Sequence, residues 1–269
     1  SLVRHPAWPL MRGPLYAMLH YREAVRMADN VARMSARETF QHVSDLLRLD
    51  VQVSGLERLP RTGGFILVSN HPTGIPDGIA VFDMIKSVRE DLTFFANRDA
   101  IRVNANLADI IIPVEWRADA KSHAKSRETA TRTARAFRDG RAIALFPSGR
   151  IAYWDGWHFR ERPWQATGIQ LARRFGVPLV PMNMQARNSW LFYALAQCSA
   201  ELRDMTVFHE LLNKKGQRFS LTIGQPIDPG HLDGNVQALT SALQHHCEWG
   251  LRDDPDARFP AADPCHLAA

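Results

Sequence analysis

The chain has 269 residues, of which 45% are hydrophobic and 23% charged. That balance excludes a disordered tail and suffices to bury about 70% of the unfolded surface. Lysine and arginine exceed aspartate and glutamate by 33 to 28, which favours anionic partners (phosphates, acidic carriers, anionic lipid, nucleic acid) without choosing among them. Cys198, Cys247 and Cys265 form an odd set with no CxxC spacing, so neither a disulfide scaffold nor a zinc ribbon is expected. No apolar run reaches the roughly 18 residues of a membrane span. The sequence opens at Ser1 without a signal-peptide pattern, and the expectation is a cytosolic protein with residues upstream.

Gly13-Pro14 followed by Leu15, Met18, Leu19, Arg22, Val25 and Ala28 predicts a helix with proline in its first turn. Ser35-Ala36-Arg37-Glu38 is a capping-box pattern, and Phe40, Val43, Leu46 and Leu47 continue it as an apolar stripe. Residues 1–49 thus read as an appendage of two amphipathic helices. They either pack on the core or lie in a bilayer interface, where their arginines suit anionic headgroups.

From Asp50 short β-rich runs alternate with helical ones, which predicts an α/β fold: a mixed, mostly parallel sheet flanked by helices over residues 50–252. Strands are expected at 51–53, 65–69, 92–96, 110–114, 142–146, 179–186 and 219–223. Helices are expected at 77–87, 124–138, 164–175, 189–196, 205–212 and 236–250. The proline-containing segment 253–269 reads as an extended or mobile tail.

Phe65 to Ser69 is a buried-strand pattern leading directly into Asn70-His71-Pro-Thr-Gly-Ile-Pro-Asp77-Gly and then a helix. Loops at strand ends are where α/β sheets form their sites. Asp77 has two readings, a helix cap or the partner of His71. A carboxylate bonded to one imidazole nitrogen leaves the other free as a base near neutral pH.

These residues resemble the first block of the glycerol-phosphate and lysophospholipid acyltransferase superfamily, and three further blocks follow in order. Phe94 to Arg117, ending Ile110-Ile-Ile-Pro-Val-Glu-Trp-Arg117, is similar to the second. Leu145-Phe-Pro-Ser-Gly-Arg150 is similar to the third, and Val177-Pro-Leu-Val-Pro-Met182 to the fourth. Together they cover about residues 50 to 225. Two features depart from the familiar pattern: five residues rather than four separate His71 from Asp77, and Ser148 stands where the third block carries glutamate. Both features resemble the branch containing ornithine- and glycine-lipid acyltransferases and hemolysin-like proteins.

The resemblance implies transfer of a fatty acyl group from an acyl carrier protein or coenzyme A thioester to the hydroxyl of a lysolipid, either lysophosphatidic acid or an amino-acid lysolipid. No metal or other cofactor is implied. His71 would remove the hydroxyl proton and Asp77 would orient the imidazole. Asn70, Arg117, Ser148, Gly149 and Arg150 would bind substrate, with the two arginines on its anionic head. Backbone N–H groups at 73–77 or at 148–150 are the candidates for holding the oxyanion. The implied location is the inner face of the membrane, peripherally attached. Two alternatives stay open: a lipid-binding or membrane-remodelling protein that kept the fold and lost transfer, and a hydrolase that passes the acyl group to water.

Other motifs rank lower. Ser148 lacks the G-x-S-x-G context of a nucleophile elbow, because position 146 is phenylalanine. Tyr153 to Trp164 is aromatic-rich and reads as a packed surface loop, a lid or an interfacial anchor. Within it His158 beside Asp155 is a rival base. The basic stretch from Arg117 to Arg141 is a solvated face or a docking surface for an acidic carrier or anionic lipid. No RNP, zinc-finger or helix-turn-helix pattern points to nucleic acid, and the remaining histidines lack HExxH spacing for a metal.

Overall fold

The computed structural model describes residues 8–115 and 122–260. The opening segment forms three helices rather than two: α1 (Trp8–Met18), α2 (Tyr21–Val31) and α3 (Ala36–Leu47). The first predicted stripe divides at His20, whose left-handed backbone (φ 53°) breaks the run. Pro14 falls inside α1 instead of opening it. The capping box forms as expected, with Ser35 Oγ accepting from Glu38 N (3.3 Å) and Glu38 Oε2 accepting from Ser35 N (2.8 Å). Helix α3 is seated in the core: Leu47 is fully buried, and Phe40 stacks on Phe94 at 5.2 Å.

After α3 come β1 (Asp50–Ser54), β2 (Phe65–Ser69), α4 (Ile75–Ile85), β3 (Leu92–Asn97), β4 (Ile111–Val114), α5 (His123–Arg138) and β5 (Ala142–Leu145). A short hairpin of β6 (Tyr153–Trp154) and β7 (Phe159–Arg160) follows, then α6 (Thr167–Phe175), β8 (Leu179–Gln185), α7 (Trp190–Cys198), α8 (Ala200–Met205), α9 (Val207–Leu212), β9 (Arg218–Ile223) and α10 (Val236–His245). Among the described residues seven strands form one sheet in the order β1-β9-β8-β2-β5-β3-β4. Every pairing in it is parallel except β8 with β9, so the sheet is mixed and mostly parallel, as expected.

Strand β2 is buried at all five positions, and the period-2 alternation of a strand divides its side chains between two layers. Phe65 and Leu67 face one layer with residues of α4. Ile66 and Val68 face the other with α6 and α10. Each such side chain contributes about 1.5–3 kcal/mol of burial, more than a single backbone hydrogen bond. Burial therefore fixes the register at the centre of the sheet. Because β2, β3, β4, β5 and β8 run the same way, the loops leaving their carboxyl ends gather along one edge.

Several helix boundaries shift for local reasons. Helix α4 starts two residues before Asp77, with Pro76 in its first turn. Helix α6 starts at Thr167, since Trp164 is held in the preceding loop with its Nε1 on Glu161 (2.8 Å). The helix expected at 205–212 is α9, starting at Val207, and an unexpected short helix α8 precedes it across Thr206, whose hydroxyl donates to Arg203 O (2.6 Å). The last helix passes through a π turn at His246–Gly250. Of the tail expected at 253–269, residues 261–269 lie outside the described residues, and the described part is pinned: Arg58 donates to Pro255 O at 2.7 Å and pairs with Asp256.

Candidate active site

The His71 loop leaves β2 at the centre of that edge. Gly74 takes φ 96°, and a Cβ there would stand 2.7 Å from Ile151 Cδ1. A side chain there would be strained, and the end of Ile151 would have to shift to admit it. This tight glycine turn absorbs the extra residue of the five-residue spacing, and Asp77 comes back to His71. The carboxylate Oδ2 lies 2.8 Å from His71 Nδ1, with Asp77 fully buried and His71 only 18% exposed. The oxygen sits off the line of the ring N–H, so the contact is close without being an aligned hydrogen bond. Such contacts commonly tighten only when substrate is bound.

Asp77 fills both of the roles open to it in the sequence. Its Oδ2 accepts from Thr73 N (2.9 Å) and Gly74 N (3.0 Å), and its Oδ1 accepts from the Thr73 hydroxyl. The first turn of α4 is thereby capped by the same carboxylate that faces the histidine. On the far side Asn188 Nδ2 donates to Thr73 O (3.3 Å). Behind Asn188, Glu210 accepts from Ser189 N (2.8 Å) and from Lys214 Nζ (2.7 Å), and both charged groups are almost wholly buried. Burial pushes the Glu210 carboxyl up, but Lys214 and Ser189 more than offset it and hold it below the usual carboxylate range. Burial draws Lys214 below the usual lysine range.

The third block reaches His71 from β5. The Phe146 ring stacks on the imidazole at 4.3 Å and 20°, and Ala152 N donates to His71 O (3.0 Å). Between them Gly149 turns with φ 63°. The Ser148 hydroxyl donates to Arg150 O (2.9 Å), which commits it to holding this turn, while the Arg150 side chain is exposed. Asn70 spends both ends of its amide on Met184, donating to its carbonyl and accepting from its N–H, each at 2.7 Å. It extends the pairing of β2 with β8 beyond the strand end. Arg117 lies outside the described residues. His158 does not pair with Asp155 through its ring. Asp155 Oδ1 instead accepts the backbone N–H groups of Trp157 (2.9 Å) and His158 (2.7 Å), which shapes the hairpin turn and holds that carboxyl below the usual range.

Sequence reasoning passed over Glu161. Its Oε1 accepts the His71 backbone N–H and its Oε2 accepts Trp164 Nε1 at 2.8 Å, so it ties the His71 loop to the segment after the hairpin. Burial pushes its carboxyl up to about 7. Glu161 sits among exposed charged neighbours in the sequence, and only the path of the chain after the hairpin turns it inward. Asn188 was likewise missed, since its partner Thr73 lies over a hundred residues away; Glu210 and Lys214 stand at the local i,i+4 spacing of an ordinary surface ion pair, and only the fold buries them.

Comparison with known proteins bears on the family and the fold. The family model described as Acyltransferase matches residues 50–185, half of the chain, from β1 through β8. The chain belongs to the acyltransferase family. It is 29% identical over 190 residues to a lyso-glycine lipid O-acyltransferase of Phocaeicola vulgatus, covering 68% of this chain and 66% of that protein. It is 25% identical over 189 residues to a protein of the same name from Bacteroides thetaiotaomicron, covering 68% of each. The chain thus spans about two thirds of the length of these relatives. The crystal structure of the 1-acyl-sn-glycerophosphate (LPA) acyltransferase PlsC from Thermotoga maritima superimposes with a TM-score of 0.53 at 16% identity, over 91% of this chain and 96% of that one. That likeness shows the fold. The resemblance read from the four blocks therefore holds, and this acyltransferase carries its family's fold on the mixed sheet described above.

Proposed function

We propose that this acyltransferase moves a fatty acyl group from a coenzyme A or acyl carrier protein thioester to the hydroxyl of a lysolipid, with His71 as general base and Asp77 as its orienting carboxylate. The observation that carries the proposal is the 2.8 Å contact between a buried carboxylate and the Nδ1 of a half-buried histidine at a strand end. Asp77 on Nδ1 favours the tautomer whose Nε2 is free to take a proton. As the acceptor oxygen attacks the thioester carbonyl, a C–O bond forms and Nε2 takes the hydroxyl proton. Collapse of the tetrahedral intermediate breaks the C–S bond, and the proton passes to the departing sulfur as free thiol.

Among the described residues the N–H groups of Thr73, Gly74, Asp77 and Gly149 are already engaged within their loops. The proposed oxyanion donors are therefore Ile75, Ser148 and Arg150 N–H. Arg150, exposed beside the site, and Arg117 would hold the acceptor's anionic head. An amino-acid lysolipid such as a lyso-glycine lipid is the proposed acceptor, in preference to lysophosphatidic acid. Support comes from the names of the two relatives and from Ser148, a turn-holding hydroxyl where the third block carries glutamate. The longer spacing and Ser148 are what favour the reading in which transfer was lost; against the first of these, Gly74 turns the loop so that Asp77 still lies 2.8 Å from His71.

The proposed location is peripheral, at the inner membrane face; no helix among the described residues is long and apolar enough to cross a membrane. An acidic carrier would dock on α5, where Arg127 and Arg138 are exposed. The cleft of about 1410 Å³ along that helix shares no lining residue with the His71 loop, so any role it has is in docking rather than chemistry.

The test is release of free thiol from palmitoyl-coenzyme A and from an acyl carrier protein thioester against a panel of lysolipids, with the product identified by mass spectrometry. Release that needs both a lysolipid and His71 supports the proposal. Thiol release that yields free fatty acid would make the protein a hydrolase. Full activity in His71→Ala would overturn the mechanism.

A further inference from the structure

Large exposed apolar side chains among the described residues fall mainly into two groups. Leu10, Met18, Tyr21 and Val25 lie on α1 and α2; Ile75, Trp157, Phe159 and Trp190 surround the His71 loop. The second group is built rather than scattered. Trp157 stands at the tip of the β6–β7 hairpin with 88% of its surface exposed, and Trp190, at the start of α7, is 68% exposed. Trp190 packs edge-on against Trp154 of β6 at 5.5 Å, and Phe159 of β7 leans on Tyr193 of α7 at 4.7 Å. Gln197 Nε2 ties α7 to Trp154 O at 2.8 Å. The hairpin begins immediately after Ala152, whose N–H is bonded to His71 O.

We propose that this aromatic face, carried by the β6–β7 hairpin, Trp190 and Ile75, is the surface on which the protein seats itself against an anionic lipid bilayer, with the His71 loop at the headgroup boundary. Tryptophan suits that boundary because one ring carries both an apolar body and an N–H. Charge complements it: the Arg187 guanidinium lies over the Phe159 ring at 4.8 Å and that of Arg162 over Tyr153 at 5.1 Å. Arg150 and Arg160 are exposed alongside. Arginines held on aromatic faces at a bilayer surface reach phosphate oxygens while the rings enter the acyl boundary. A lysolipid has one long chain to keep out of water, and a seat here lets its hydroxyl approach His71 without the chain leaving the bilayer. The inference rests on the lysolipid reading above and adds where the lipid comes from.

Flotation with vesicles of phosphatidylcholine and phosphatidylglycerol tests it. The variants are Trp157→Ser with Trp190→Ser, Arg162→Gln with Arg187→Gln, and, on the other apolar group, Leu10→Ser with Met18→Ser. The hairpin pair is expected to weaken vesicle binding about tenfold with an unchanged thermal transition. The arginine pair is expected to weaken it only on vesicles containing phosphatidylglycerol. Should the double tryptophan variant fold poorly, Trp157→Ser alone, at a fully solvated tip, still gives the reading. Turnover of a water-soluble short-chain thioester with a monomeric acceptor is expected to stay at the wild-type level in the hairpin variants.

Vesicle binding that survives the hairpin changes overturns the inference, whether or not the α1 pair releases the protein. A raised KM for an acyl carrier protein thioester with unchanged vesicle binding would reassign the face to the carrier. Loss of short-chain turnover would make the hairpin part of the catalytic machinery instead. If no acceptor is acylated by wild type while vesicle binding still depends on the hairpin, the docking surface stands and the acyl-transfer reading fails.

Discussion

The loop from Asn70 to Asp77 and the hairpin from Tyr153 to Arg160 are neighbours, joined through Ala152, yet they are held in opposite ways. In the loop a single buried carboxylate gathers two backbone N–H groups, a hydroxyl and the imidazole, with Asn188 and Glu161 bracing it from two sides. The hairpin spends its one carboxylate, Asp155, on its own turn and turns its rings outward. Preorganisation belongs where charge develops in the transition state. Exposed aromatic surface belongs where the partner is a fluid phase with no fixed shape. Substitutions in the loop should therefore change chemistry, those behind it stability, and those in the hairpin only access to lipid.

The largest expected effect sharpens the first half of that contrast. His71→Ala should lower thiol release by about 10⁴-fold or to background, with the melting temperature unchanged. Asp77→Asn keeps the shape of the cap: the amide oxygen can accept from Thr73 and Gly74 N–H, and the amide nitrogen can donate to the Thr73 hydroxyl. Turnover is expected to fall by about 10³-fold while the fold persists. A wild-type rate would reduce Asp77 to a helix cap.

Behind the loop the effect should appear in stability. Lys214→Met leaves the Glu210 charge buried without its partner, and chemical denaturation should record a loss of about 3–5 kcal/mol. Adding Glu210→Gln should restore much of it; failure to do so would mean that the pair also packs the junction of α7 and α9.

A smaller effect is a matter of pH. The Glu161 carboxyl is raised from its ordinary 4.5 to about 7 by burial, so the folded protein holds this proton more tightly than the unfolded chain does. The resulting stabilisation is fully present below about pH 4.5 and is lost as the pH rises through about 7. Glu161→Gln should remove that slope, which amounts to at most about 3 kcal/mol and less for a group still partly in contact with water. Denaturation curves taken across this window would show it, and an unchanged slope would place the titration elsewhere. Should Glu161→Gln also abolish turnover at every pH, the carboxylate or its bond to Trp164 would matter to the chemistry, since the glutamine oxygen can still accept the His71 N–H.

Much of this was legible in the chain itself. Strand β2 lies where the apolar run Phe65 to Ser69 put it, and α3 starts where Ser35 and Glu38 spelled a capping box. Both signals are local, a period or a pair three residues apart. Boundaries differ where a distant contact overrides the local pattern: Trp164, apolar and helix-compatible, is held out of α6 by Gln244, whose Oε1 accepts its backbone N–H at 3.0 Å from eighty residues away. Asp77 reads as a helix cap and is one, but α4 starts two residues before it, at Ile75, after the positive-φ turn at Gly74.

The sequence alone determined the alternation of strands and helices, the ordered blocks of the family and the pairing of residue types at His71 and Asp77, because hydrophobic period and loop composition are properties of neighbouring residues. Only the tertiary structure decided that five residues can separate that pair and still close to 2.8 Å. It also decided that Asn70 and Ser148 are committed to the backbone, and that Glu161 comes up under His71 from ninety residues away. Those outcomes depend on parallel strands bringing their carboxyl ends to one edge, and on which groups burial then forces to find a partner.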